Sequence, residues 1–262
     1  MDREDQFEIP SIIHQIWIQG AAEMPPRYRR WSATWASRNP GWEHRVWDEN
    51  SLRSLMTAHR PEWWRIYDGQ PEMEARADVG RYAVLQALGG VYADMDTVCV
   101  RPIGDVLMAS SARFQASTYP MPFKKSICPD RPYDFLTNSI MASSPDHLIW
   151  NDVLAHLQRH ATRHLLMPGR TGPAMLWPIV RNYGERYPGD VRLLGWPHVF
   201  TAFYLPRRLM RLRSRFESDL RALDYNDSAR RTMRNAVRLS RLPHTIFTLF
   251  RCALRRQGDI QF

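Results

Sequence analysis

The sequence predicts an α/β protein with a mostly parallel central sheet flanked by helices. Three observations carry that prediction. Short β-branched segments alternate with helical ones along the first 200 residues. A helical stretch over residues 72–88 stops at Gly89 and passes at once into an apolar strand. A paired-carboxylate tripeptide, Asp94-Met95-Asp96, then stands where that strand would run into its loop, and sheets of this class bind ligands beyond the carboxyl ends of their strands.

The elements follow in order. PSIIHQIWIQG (residues 10–20) is β-branched, bounded by Pro and Gly, and reads as a buried first strand. RYRRWSATWASRNPGW reads as a helix carrying Trp31 and Trp35, stopped by Asn39-Pro40-Gly41. WEHRVWDEN is a second short strand running into an acidic turn, and SLRSLMTAHRPEWWRIYD is helical. After the Asp-bearing strand, DVLMASSARF leads into a Pro-rich loop over residues 119–132. FLTNSIMAS is a strand and DHLIWNDVLAHLQRHAT a helix. TGPAMLWPIVRNYG is a helix opened by Thr171 as its cap, with Pro173 in the first turn. DVRLLGW and HVFTAFYL are late strands.

Composition bounds the function. At 262 residues and 44% hydrophobic, the chain can bury one substantial core. Its three cysteines are far apart and fit no zinc, redox or disulfide spacing, which predicts a reducing compartment. The start, MDREDQFEIP, has no apolar leader, and no apolar run approaches the ~18–20 residues of a membrane span. A cytoplasmic location is expected. The net charge of +9 is uneven: from Thr201 onward 14 Arg and no Lys face 5 acids, and the body before it is neutral. The expected division is therefore a catalytic domain, 1–206, and a basic helical segment, 207–262.

In an extended strand the side-chain period of two puts Asp94 and Asp96 on the same side. Like charges so close repel. Either the strand end is exposed, or a cation sits between them, and Mg²⁺ or Mn²⁺ suits carboxylate oxygens while keeping positions open for phosphate. On the preceding helix, Asp78, Arg81, Tyr82 and Leu85 share a face. The Asp–Arg pair there is either an ordinary surface pair or a sugar- and phosphate-binding couple facing the carboxylates.

Taken together, IPSIIHQIWIQG, NPGWEHRVWDEN, ARADVGRYAVLQALGGVYADMDTV and TGPAML, in this order, resemble the D-x-D sugar-binding glycosyltransferases. The resemblance runs from about residue 9 to 178 and includes, distantly, the glucosylating domain of large clostridial toxins. It implies a GT-A fold, the nucleotide-diphospho-sugar transferase architecture. It also implies a UDP- or GDP-sugar donor, Mn²⁺ or Mg²⁺, a glycan, polysaccharide or glycolipid acceptor, and transfer with retention. By motif position, Asp96 binds the metal together with Asp94, and Asp94 contacts ribose and sugar. Asp78 and Arg81 hold the transferred sugar, Trp17 stacks on the nucleobase, and Asn138 lies towards the acceptor. The family's closing His-x-x-x-Ser-Trp-like segment is absent; His198 and His244 stand in other surroundings. That absence keeps a second reading open, a non-catalytic nucleotide- or membrane-binding adaptor with a decayed site.

The remaining singled-out residues read as structure. Trp42 and Trp47 are expected to pack, Asp48 either ends the strand or reaches the nucleotide, and His14 is expected to be a satisfied core histidine. His156, His160 and His164 recur on one helix face without a carboxylate and read as solvated. In SARRTMRNAVRLSRL, five arginines oppose an apolar face, which suits an anionic membrane surface. Nucleic acid ranks last as a partner, because no motif for it is present.

Overall fold

The computed structural model describes residues 8–120, 134–160 and 167–194, together with three short strands beyond them. The elements are β1 (Ile12–Ile16), α1 (Pro26–Arg38), β2 (Glu43–Trp47), α2 (Glu49–His59), α3 (Pro61–Asp68), α4 (Met73–Leu88), β3 (Gly90–Ala93), β4 (Thr97–Cys99) and α5 (Gly104–Leu107). They continue with β5 (Phe114–Pro120), β6 (Asp134–Ser143), α6 (Ile149–His160), α7 (Met167–Arg170), α8 (Pro173–Arg186), β7 (Val191–Leu194), β8 (Val199–Thr201), β9 (Ala222–Asp224) and β10 (Ile260–Gln261).

Seven strands form the central sheet in the order β10-β7-β5-β6-β3-β1-β2. Five run one way; β6 and β10 run the other, so the sheet is mixed. β4, β9 and β8 make a second, three-stranded sheet. Both β9 and β10 fall within residues 207–262 and pair with strands of the body. The basic helical stretch expected at 228–242 lies outside the described residues.

The sheet is covered on both faces. On one, α2, α3, α4, α6 and α8 bury Leu52, Trp63, Val79, Tyr82, Trp150 and Val180 against Tyr92, Phe114 and Met141. On the other, Trp35 of α1 and Val106 of α5 pack on Ile13, Val91, Ala93 and Ile140. Helix α4 is buried continuously from Asp78 to Gln86, so it runs through the core and carries polar groups into it.

Several local expectations shift for physical reasons. The helical stretch after Asp48 is two helices, because Pro61 has no N–H to continue α2 and instead opens α3. Asp48 caps α2, its Oδ1 accepting from the Ser51 N–H at 2.8 Å. Residues 114–120 are a central strand, extending two residues into the expected Pro-rich loop.

Two glycines join α4 to β3. Gly89 and Gly90 have φ of 63° and 85°. A Cβ on Gly89 would lie 2.6 Å from the Pro145 nitrogen, and one on Gly90 would lie 2.6 Å from the Ile12 carbonyl oxygen. Only glycine fits both the dihedrals and the space. The carbonyl of Gly89 accepts from His14 Nε2 at 3.0 Å, while His14 Nδ1 accepts from the Trp47 indole N–H at 3.2 Å. Because the indole can only donate, His14 is the neutral Nε2–H tautomer, a satisfied core histidine as expected.

β6 departs from regular pairing beside the sheet's upper end. Ala116 pairs with Met141 and Thr118 with Leu136, so five residues of β6 span two of β5. Such a bulge re-aims side chains and frees backbone groups.

Burial drives the His14 pKa down to about 4 from its usual 6.5, with the Gly89 bond opposing and Arg45 assisting. A base with a depressed folded pKa contributes stability that is complete above pH 6.5 and lost as pH falls towards 4. We expect a loss on the order of 3 kcal/mol across that window, from 1.36 kcal/mol per unit. Urea unfolding at pH 7 and pH 4.5 checks it. The His14→Gln protein should show a smaller pH difference, and equal differences would refute the assignment.

Candidate functional site

The site is assembled from four segments. α4 presents Asp78, Arg81 and Tyr82, spaced three and four residues apart on one face. β3 supplies Tyr92 and ends at Ala93, so Asp94 and Asp96 are not strand residues with a common side. They lie in a turn, because the Asp94 carbonyl accepts from the Thr97 N–H at 3.0 Å and its hydroxyl at 2.5 Å. The Asp94 N–H donates to the Ser139 carbonyl at 2.8 Å, one step beyond the Ala93–Ile140 pair of β3 and β6.

Arg81 stands between two carboxylates. Its Nη1 lies 2.9 Å from Asp94 Oδ1 and its Nη2 lies 3.3 Å from Asp78 Oδ1. Nη1 also donates to the Asn138 carbonyl at 2.7 Å, and the guanidinium sits 4.6 Å from the centre of the Tyr92 ring. The Tyr92 hydroxyl donates to Asp94 Oδ1 at 2.8 Å. The bulge turns Asn138 towards α4, where its amide donates to Asp78 Oδ1 at 2.7 Å and to the Tyr82 hydroxyl at 3.0 Å. Thr171 donates its hydroxyl to Asp78 Oδ2 at 2.9 Å, and its carbonyl accepts from Tyr82 at 2.8 Å. Gly172, not Thr171, is the cap residue of α8; Thr171 is spent on Asp78.

The electrostatics follow from burial. It pushes the Asp78 and Asp94 carboxyls above the usual carboxylate range, and Arg81 opposes this without cancelling it, since one guanidinium serves two acids. For Arg81, burial acts against the charged form, but Asp94, Tyr92 and Asp78 favour it more, and its pKa is raised. Burial raises the phenols of Tyr82 and Tyr92 well above 10, so both remain donors.

The expected residues thus divide. Asp78, Arg81, Asp94 and Asn138 form one bonded group, and half-buried Asp96 follows in the same turn. Asp78 is 5% exposed and Arg81 6%. Trp17 lies one residue past β1, half-buried, its ring 5.1 Å from that of Tyr28, with its indole N–H buried and without a partner among the described residues. Helix α1 is moored to the turn by the Trp35 indole, which donates to the Thr97 hydroxyl at 3.0 Å. It is also tied to β1 by Ser32, which donates to Gln15 at 2.6 Å. Sequence reasoning passed over Tyr92 and Thr171 as site residues. Tyr92 is announced by its place two residues before Asp94, whereas nothing local distinguishes Thr171 from a helix cap. The rings of His156 and His160 are 4.6 Å apart; His164, His198 and His244 lie outside the described residues.

A divalent cation fits this donor set. Both bonds to the Asp94 carboxylate fall on Oδ1, and Asp96 is two residues on. Among the described residues no cluster of three or more His, Cys, Asp or Glu forms, so substrate oxygens would complete the coordination.

Residues 25–114 match the family described as glycosyltransferase sugar-binding region containing DXD motif. An uncharacterized glycosyltransferase of Acanthamoeba polyphaga mimivirus is 28% identical over 71% of this chain and 70% of its own length. Inositol phosphoceramide mannosyltransferase 3 of Schizosaccharomyces pombe is 28% identical over 73% of the chain, but the aligned part is only 49% of the yeast protein. Among solved structures, the UDP-bound glycosyltransferase domain of the YGT toxin superposes with a TM-score of 0.50 at 11% identity, covering 94% of each chain. The fold is GT-A, in the mixed-sheet form described above.

Removing Arg81 leaves the buried Asp78 carboxylate and the half-buried Asp94 carboxylate without their shared cation. Arg81→Ala should lower the unfolding free energy by about 3–5 kcal/mol. Adding Asp78→Asn and Asp94→Asn to it should recover part of that loss in urea titrations. No recovery would mean that the guanidinium stabilises by packing alone.

Proposed function

We propose a reaction for this chain, whose residues 25–114 match the glycosyltransferase sugar-binding region containing DXD motif: transfer of a mannose-type hexose from a nucleoside-diphosphate sugar to a glycolipid-type acceptor, with retention. The supporting observation is the Arg81-bridged pair Asp78–Asp94, set at the carboxyl end of β3 beside Asp96. The fission-yeast relative is named for mannosyl transfer to inositol phosphoceramide, and the toxin domain holds UDP. These names guide the choice of acceptor and of donor nucleotide.

Asp96 and Asp94 would hold Mn²⁺ or Mg²⁺. Bound there, the ion supplies Lewis-acid stabilisation of the charge that gathers on the departing diphosphate. The chain's own residues act on geometry and field. Arg81 and Tyr92 fix the Asp94 carboxylate through Oδ1, while Thr97 and Ser139 fix its backbone. Asp78 and Asn138 hold Arg81 in place from the other side, which makes them positioning residues in an almost closed interior. During transfer the bond from the anomeric carbon to the phosphate oxygen breaks. The acceptor hydroxyl oxygen bonds to that carbon on the same face, and its proton leaves on the released nucleoside diphosphate. The fixed negative charge of Asp94 favours the oxocarbenium-like sugar that forms between these events. The half-exposed face of Trp17 would carry the nucleobase.

We further propose that the arginines of residues 207–262 bring the protein to an anionic membrane surface, where a lipid acceptor resides. No helix among the described residues is long and apolar enough to cross a membrane.

A panel of UDP- and GDP-sugars with Mn²⁺ or Mg²⁺ should give hydrolysis or transfer of one donor. Asp96→Ala should reduce that turnover by about 10²-fold or more. Absence of turnover across the panel, or turnover indifferent to Asp96, would return the chain to the adaptor reading.

A further inference from the structure

The segment that carries Thr171 also carries a cation that the reaction described above leaves unused. Arg170, the last residue of α7, is 8% exposed. Its Nη2 is hydrogen-bonded to the Glu72 carboxylate at the start of α4, the only partner found for it among the described residues. The guanidinium has five N–H donors, and its Nε–H is buried with no acceptor among the described residues. A buried N–H without a partner marks a place where an acceptor is missing.

The surroundings say which acceptor. Thr171, the next residue, is bonded to Asp78 and Tyr82, so Arg170 is held at the edge of the transfer site. The 14-residue helix α8 begins at Pro173 with no side-chain cap, and the 16-residue helix α4 begins beside Glu72, also without one. The uncapped start of α8 and a guanidinium together favour a multiply charged oxyanion. Glu72 uses one edge of the fork and thereby orients the rest.

We propose that Arg170 is a phosphoryl-binding residue of this glycosyltransferase, its Nε–H donating to a phosphate oxygen of a bound substrate. The inference rests on the transferase reading. Both substrates of that reaction can supply the phosphate: the donor through its diphosphate, and a phosphoinositol-type acceptor through its phosphodiester. Arg170 would then set specificity for phosphorylated ligands, with Glu72 as its positioning partner.

Calorimetric titration of the full chain with inorganic pyrophosphate, in buffer containing Mg²⁺, represents the donor source. Titration with myo-inositol 1-phosphate represents the acceptor source. We expect the wild-type protein to bind at least one probe and Arg170→Gln to bind it at least tenfold more weakly. Arg170→Lys, which keeps the charge without the fork and guards against a misfolded Gln variant, should fall between them. Circular dichroism and the melting temperature report folding of each variant. The proposal is overturned if the wild type binds neither probe, or if a folded Gln or Lys variant binds as the wild type does. Either result leaves the Asp96-dependent turnover test untouched, so failure of this inference and failure of the transferase reading remain separable.

Discussion

One guanidinium placed between a buried carboxylate and a half-buried one organises the upper end of this molecule. Arg81 reaches Asp78 on its own helix and Asp94 beyond the neighbouring strand. Burying charge in this way is tolerated only when every member has partners with good geometry. The structure supplies them from elements far apart: the Asn138 amide, the Thr171 hydroxyl, and the phenols of Tyr82 and Tyr92. The demand for partners explains features that look unrelated. β6 is irregular where Asn138 must face α4, Thr171 forgoes capping α8, and α4 passes through the core with a polar stretch in its middle.

The same constraint separates closed residues from more open ones. Asp78 and Arg81 are almost closed off, whereas the Asp94 side chain is 20% exposed and Asp96 stands in the turn beyond it. The buried pair therefore acts through Asp94. Arg81 and Tyr92 both bond Oδ1 and so enforce one carboxylate orientation. The Asp94–Asp96 turn is held by its backbone on both sides, by Thr97 and by Ser139, and Trp35 ties Thr97 to α1.

Much of this was legible in the chain itself. β1, β2, α4, β3 and the core of β6 follow from periodicity and from Gly and Pro punctuation, because those signals are local. Helical spacing put Asp78 and Arg81 on one face but left them open between a surface pair and a couple facing Asp94; the family resemblance, not a local pattern, favoured the second. Three things were not readable. The direction of β6 depends on which strand it pairs with, which no local pattern encodes. The Asp94–Asp96 turn looks extended in sequence; Thr97 closes it on the Asp94 carbonyl, and the Asp94 N–H is held by the Ser139 carbonyl, 45 residues away by numbering. The choice of Thr171 between a helix end and a distant carboxylate is settled by the energy of the buried acid, and no neighbour of Thr171 reports that. Trp17 remains beside the bonded group: its register on β1 brings it level with the turn, but its contacts are with α1.

The partners of Asp78 have a temporal consequence. Its carboxylate takes one donor 60 residues downstream and another 93 downstream. A chain emerging in order from a ribosome would complete α4 and β3 long before Asn138, and then Thr171, arrived. Closing such distant contacts is the slow part of folding. The bonded group around Asp78 would therefore be among the last parts to mature, and a nascent chain ending before Thr171 would lack the hydroxyl that Asp78 requires.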